Sequence, residues 1–250
     1  MNNTKRRYGW QPDVPDQRDY LFSEIVKISK VLPQLVDLRK ECSTVEDQGH
    51  LGSCTANALA GALEFLEIEE NESFTDKSRL FIYYNERTIE HKIDSDSGAM
   101  IRDGIKSLAT WGCCDETLWP YNISAFAQKP AAKCYAQAKD HCISSYHRIC
   151  TLDEMKTCLA AGFPFVFGFT VYESFESQTV AKTGKVNMPK QSERALGGHA
   201  VMAVGYSEKQ KRFTVRNSWG AGWGMNGYFT MPYEYLGSRS LSDDFWTIRK

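Results

Sequence analysis

Two residues six apart near the start of this chain have the types and spacing for attack on a carbonyl carbon. Cys54 opens a run, CTANALAGALEFLEIEE, in which Leu59, Ala62, Leu63 and Leu66 recur at helical spacing with acidic residues trailing away from them. A sulfur at the start of a helix feels the positive end of its dipole, which lowers the thiol pKa and favours the thiolate. Gln48 lies upstream, where its side-chain amide can donate to a developing oxyanion beside the Cys54 backbone N–H. Gly49 and Gly52 flank the approach, where backbone must come close to the attacked group. Taken singly, Cys54 reads as an ordinary buried cysteine and Gln48 as a solvated glutamine. The combination points to nucleophilic chemistry.

The elements that would position these residues fall into two textures. Periodicity predicts helices over 54–70, 76–90, 100–111 (stopping near Gly112) and 152–161, the last with Thr151 or Asp153 as its cap. Beyond Pro164 the period shortens, and PFVFGFTVY, HAVMAVGY, KRFTVRNSW and NGYFTMP read as strands. Helices in the first half and strands in the second predict an α+β protein with two segregated lobes. Residues 1–32 are polar, hold Pro12 and Pro15, and read as an extension.

Thirty basic residues against 31 acidic leave a net charge of -1, which argues against an electrostatic nucleic-acid partner. The longest apolar stretch, residues 160–172, is too short to span a bilayer and carries Pro164, so no membrane helix is expected. The opening residues have a basic cluster without the apolar run of a signal peptide. Eight cysteines allow either disulfides, which would place the chain in a secreted or periplasmic compartment, or buried free thiols. If Cys54 is a free nucleophile, at least one further cysteine stays unpaired within the molecule. Cys134, Cys142, Cys150 and Cys158 recur every eight residues near His141 and His147, but without the spacing of a zinc site. Neither metal nor cofactor is expected. His50, His91, His141 and His147 read as solvated or satisfied histidines.

Three segments resemble the papain family of cysteine peptidases. DQGHLGSCT at residues 47–55 is similar to that family's nucleophile motif, LGGHAVMAVGY at 196–206 to its histidine strand, and VRNSWGAGWGMNGYF at 215–229 to its asparagine motif. His199 follows Cys54 by 145 residues and Asn217 by 163. The resemblance runs from about Val36 to the end. It implies a helical lobe (about 33–140) and a β-barrel-like lobe (about 141–250) with a cleft between them. It also implies catalytic roles for Cys54, His199, Asn217 and Gln48, with Trp219 shielding the His199–Asn217 bond. Gly98, Met100, Gly168 and Ala200 are then implied to bind substrate, with Asp243 either the floor of the pocket for the second residue before the scissile bond, favouring Arg or Lys there, or, with Asp244, part of a solvated turn that leaves a hydrophobic preference.

Three departures stand out: Leu51 in place of a stapling cysteine, Thr55 in place of an aromatic, and Gly198 in place of a polar residue. With the YGWQPDVPDQRDY opening they resemble the compact bacterial branch of the family. The expected function is a monomeric cysteine endopeptidase acting on peptides or proteins through a thioester. A catalytically silent binding protein and an acyl transferase are the alternatives. With Tyr8, Trp10, Tyr20 and Phe22, the extension is expected either to cover the groove as a latency segment or to cross the back of the lobes.

Overall fold

The computed structural model describes residues 6–28, 31–70 and 74–250, so residues 1–5, 29–30 and 71–73 lie outside the described residues. Among the described residues the strands are β1 (Trp10–Gln11), β2 (Leu35–Asp37), β3 (Ala99–Met100), β4 (Ser145–Arg148), β5 (Phe165–Tyr172), β6 (Ala195–Ser207), β7 (Arg212–Arg216), β8 (Tyr228–Pro232) and β9 (Ser242–Arg249). The α-helices are α1 (Phe22–Ile25), α2 (Cys54–Glu69), α3 (Arg79–Ile89), α4 (Ile101–Trp111), α5 (Ala132–Ala138), α6 (Leu152–Ala160), α7 (Gln178–Thr183) and α8 (Tyr233–Gly237). The main sheet is antiparallel in the order β4-β9-β5-β6-β7-β8, with β2 also pairing β6. Its path stays open between β4 and β8.

Two-residue periodicity in the central strands divides the core. Val166, Ala200, Met202 and Trp246 face the cluster built around α2, α3 and α4. Phe165, Phe167, Phe169, Val201, Ala203 and Phe245 face the opposite, aromatic cluster. Alternate side chains of a strand point to opposite faces, so a strand buried on both reads as a continuous apolar run.

The cysteine-bearing helix α2 is not a surface helix. It packs on β6 on one side and on α3 and α4 on the other, and every residue from Cys54 to Glu67 is buried. The acidic residues expected to trail into solvent are therefore held inside by partners. Glu64 accepts from the Ser43 hydroxyl and, at 2.8 Å, from the Lys77 N–H. Glu67 pairs with Lys77 at 3.0 Å and with His141 at 2.6 Å. A buried charge persists when paired and hydrogen-bonded, as Glu67 is, whereas burial pushes Glu64 up to about 7 against the lowering effect of Arg216.

At the cap of α6 the choice between Thr151 and Asp153 falls to Thr151, which forms a reciprocal capping box with Glu154. All eight cysteines carry free thiols.

Candidate active site

Cys54 begins α2 and is wholly buried. The residue before it, Ser53, does not cap the helix with its side chain, because its hydroxyl is engaged with the Tyr121 hydroxyl at 2.6 Å. Backbone N–H groups of Ala200, Gly9 and Thr55 are directed at the Cys54 sulfur, but burial outweighs them and pushes the thiol up to about 11. Ala200 follows His199 on β6, so this N–H joins the helix start to the histidine strand.

His199 projects from β6 among aromatic rings: Trp219 at 5.2 Å, Phe169 at 5.7 Å and Tyr8 at 6.1 Å between centroids. Its Nε2 lies 2.8 Å from Asn217 Oδ1. That oxygen only accepts, so Nε2 carries the proton and Nδ1 is the basic nitrogen of the neutral ring. Nδ1 is buried and has no hydrogen-bond partner among the described residues. Burial lowers the imidazole to about 4 against the raising effect of Asn217. With residues 6–13 docked, burial disfavours the charged form of both Cys54 and His199.

Gln48 is steered by a residue that sequence reasoning passed over. Ser218 Oγ donates to Gln48 Oε1 at 2.6 Å, and Ser218 O accepts from Gln48 N at 2.9 Å. Fixing the amide oxygen points Nε2 towards Leu51 O (2.9 Å) and Arg7 O (3.3 Å). Ser218 N also donates to Asn217 Oδ1 at 2.9 Å. One short stretch, Asn217–Ser218–Trp219, thus holds the imidazole, the glutamine amide and the ring beside them.

Residues 6–13 run through the groove against these groups. Arg6 pairs with Asp47 and lies over Trp219. The Tyr8 hydroxyl donates to Glu176, Gly9 O accepts from Ala99 N at 2.8 Å, and β1 pairs β3 in parallel. The Trp10 indole lies where side chains at Gly168 and Gly198 would have to be, 1.9 Å and 2.7 Å from the Cβ each would carry. Gly198, a departure from the family pattern, is therefore what makes room for Trp10. Gly98, at φ 71°, abuts Gly9 so closely that any side chain there would strike its carbonyl.

Of the other expected substrate-binding residues, Met100 pairs with Gln11, and Gly168 lies between Ala200 on β6 and Asp243 on β9. The carboxylate facing Trp10 is that of the next residue, Asp244, which accepts from the indole N–H at 3.1 Å. Asp243 turns to Arg148 and is more than one-third exposed. The cause is a bulge in β9: the register shifts opposite Val166 and Gly168, and Asp244 adopts φ 58°. Such a one-residue shift carries no periodic signal, and neither do Ser218, Tyr8 and Trp10. An aromatic-rich opening was the sole hint of the last two.

A helix bearing a buried cysteine at its start, seated on a strand bearing a histidine held by an asparagine amide, defines the thiol-peptidase class of proteins. The model described as Papain family cysteine protease matches residues 32–242. The chain is 46% identical to the uncharacterized peptidase C1-like protein L477 of Acanthamoeba polyphaga mimivirus, covering 98% of this chain and 87% of that one. Xylellain, a cysteine protease from Xylella fastidiosa, shares 43% identity with a TM-score of 0.92 over 99% of this chain and 97% of its own. Cysteine proteinase 1 of Entamoeba histolytica is 27% identical over 81% of this chain and 64% of its own length. The chain belongs to the papain family of cysteine proteases. It is a peptidase, with peptides or proteins as substrates. No helix among the described residues is long and apolar enough to cross a membrane.

Proposed function

We propose that the protein is a cysteine endopeptidase that works through Cys54, His199, Asn217 and Gln48 and is held latent by its own residues 6–13. Once the groove is open, water reaches the Cys54–His199 pair. The burial that suppresses both charges is then relieved, and thiolate with imidazolium becomes accessible. The thiolate attacks the scissile carbonyl, whose oxygen is received by Gln48 Nε2 and the Cys54 N–H. His199 hands its proton to the leaving amine, and water releases the thioester. Asn217 keeps the imidazole in the tautomer that this requires.

The observation that carries the reading is the unpartnered Nδ1 of His199 with Nε2 committed to Asn217. Cleavage within chains is supported by the strap, since Arg6 and Tyr8 lie by Trp219 and His199 while Trp10 and Gln11 lie against Gly168 and Met100, so the groove accepts a chain past the sulfur both ways. Latency is supported by direction. The leaving amine must lie beside His199, so a substrate runs from the Ala99 side towards Tyr8. The strap runs the other way and offers Gly9 N–H to the sulfur rather than a carbonyl carbon.

Under Trp10 the pocket is apolar apart from Asp244, which Arg148 already neutralises at 3.1 Å. An aromatic or aliphatic residue two before the scissile bond is the expected preference, and neither Asp243 nor Asp244 is left unpaired to attract a cation. The test is treatment with an epoxysuccinyl thiol reagent, followed by peptide mapping and digestion of an unfolded protein substrate. Modification of Cys54 and internal cleavages are expected. Modification at another cysteine, or trimming from chain ends only, overturns the reading.

A further inference from the structure

Asp96 is a carboxylate held at the edge of this groove by groups that do not move with the strap. Gly52 N donates to its two oxygens at 3.0 and 3.2 Å, and the Tyr83 hydroxyl donates to Oδ1. That hydroxyl also accepts from Gly98 N at 3.2 Å, so Asp96 and the groove-lining Gly98 share one anchor. A side chain at position 52 would put its Cβ 2.9 Å from Asp96 Oδ1, so Gly52 lets the carboxylate lie two residues from the nucleophile. The Asp96 side chain is only 9% exposed.

Its remaining partner is Arg7, whose guanidinium NH1 lies 3.0 Å from Asp96 Oδ2. Among the described residues no other cation is ion-paired with it. Arg87, also within electrostatic reach, is committed to the carbonyls of Tyr83, Ile93, Ser95 and Phe126. Arg7 is itself more than half exposed, so when the strap leaves, a fixed negative charge at the groove edge opens to solvent without a paired cation. Arg7 also directs its own carbonyl oxygen to Gln48 Nε2 at 3.3 Å. One residue thus sets a carbonyl at the oxyanion donor and a guanidinium on Asp96, the two positions that a substrate residue of that length would take.

We infer that Asp96 selects arginine or lysine at the substrate residue whose carbonyl is attacked. The inference rests on the peptidase reading above. It assigns opposite chemistry to adjacent subsites: a carboxylate for this side chain, and the apolar bed vacated by Trp10 for the preceding one. A guanidinium fits better than an ammonium, because two parallel N–H groups can engage the carboxylate.

The test uses the full chain and two peptides identical except for arginine or citrulline at that residue, mixed in one tube. Competing substrates report the ratio of their kcat/KM values whatever fraction of chains has the strap displaced. The expected preference for arginine is about 2- to 5-fold, the range for an ion pair whose cation stays in contact with water. In Asp96→Asn it falls to near one while citrulline cleavage persists, and in Asp96→Glu a preference for arginine remains. A purely structural role for Asp96 would instead slow both peptides and leave the ratio intact, which overturns the inference. So does a ratio near one in the unsubstituted protein, a result that needs no variant to fold. Equal cleavage of both peptides removes the role of Asp96 and leaves the peptidase standing. No cleavage, together with no labelling of Cys54, takes down both.

Discussion

Replacing Cys54 by alanine removes the thiol that opens α2 and is proposed as the nucleophile. Peptide hydrolysis and epoxysuccinyl labelling are both expected to vanish, while circular dichroism shows the fold retained. Gln48→Ala should be milder, a loss of about 100- to 1000-fold in kcat, the range for removing one oxyanion donor. Ser218→Ala leaves the glutamine in place but unhooks its amide oxygen. About a tenfold fall in kcat with little change in KM is expected, close to the cost of one neutral hydrogen bond. Steady-state kinetics on one fluorogenic peptide orders the three. If Ser218→Ala equals wild type, Gln48 does not depend on it.

At the scale of elements, the extension divides into two stretches with different surroundings. Residues 6–13 fill the groove. Phe22, opening α1, is fully buried in the aromatic cluster, and Asp19 pairs with Arg102 and Arg148. On the proposed reading the first stretch competes with substrate, while the second contributes to the core. Trp10→Ala, or a chain beginning at Pro12, should therefore cleave peptides faster than the full chain with its melting temperature little changed. A chain beginning at Val31 also loses Phe22. Deleting a buried phenylalanine side chain costs about 3–5 kcal/mol, so melting on the order of 10 °C lower is expected. Calorimetry beside the rate assay separates the two, and equal rates for the full chain and the Pro12 form would refute latency.

For the whole molecule, docking of the strap is linked to protons. Docking buries Asp13 beside Asp244, within a set of charges that includes Arg102, Arg148, Asp19 and Asp243. Burial, then the charge of Asp244, pushes Asp13 up to about 7 against the lowering by the Arg102 N–H and the Trp246 indole. A docked carboxyl that holds its proton more tightly than a free one favours docking at low pH. The advantage is full below the ordinary carboxylate range, near pH 4, and is lost as pH rises through about 7. A synthetic peptide of residues 6–22, added to the form beginning at Val31, which lacks its own Asp13, should inhibit more tightly at pH 5 than at pH 8. Asp13→Asn in the peptide should flatten that dependence. A flat profile for the unsubstituted peptide would show that Asp13 stays ionised when docked.

How much of this was legible beforehand follows from the range over which each signal acts. Cys54 at a helix start, the four predicted helices and the strand runs from Pro164 onward are local patterns, set by side-chain periodicity and capping within one or two turns of chain. Strands such as β9 and β4 were not read from the sequence, because SDDFWTIR and SYHR mix apolar and charged residues and owe their pairing to neighbours. The inward turn of Glu64 and Glu67 was illegible because it depends on Lys77, Ser43 and His141 arriving from other segments. Whether Asp243 or Asp244 faces the groove turned on a single bulge, and the room for Trp10 on glycines in two separate strands. The sequence alone determined which groups are chemically able to act. Only the packing of distant segments decided which of them meet, which are covered, and which carboxylate is left waiting for a cation, because burial and pairing are properties of neighbours in space rather than along the chain.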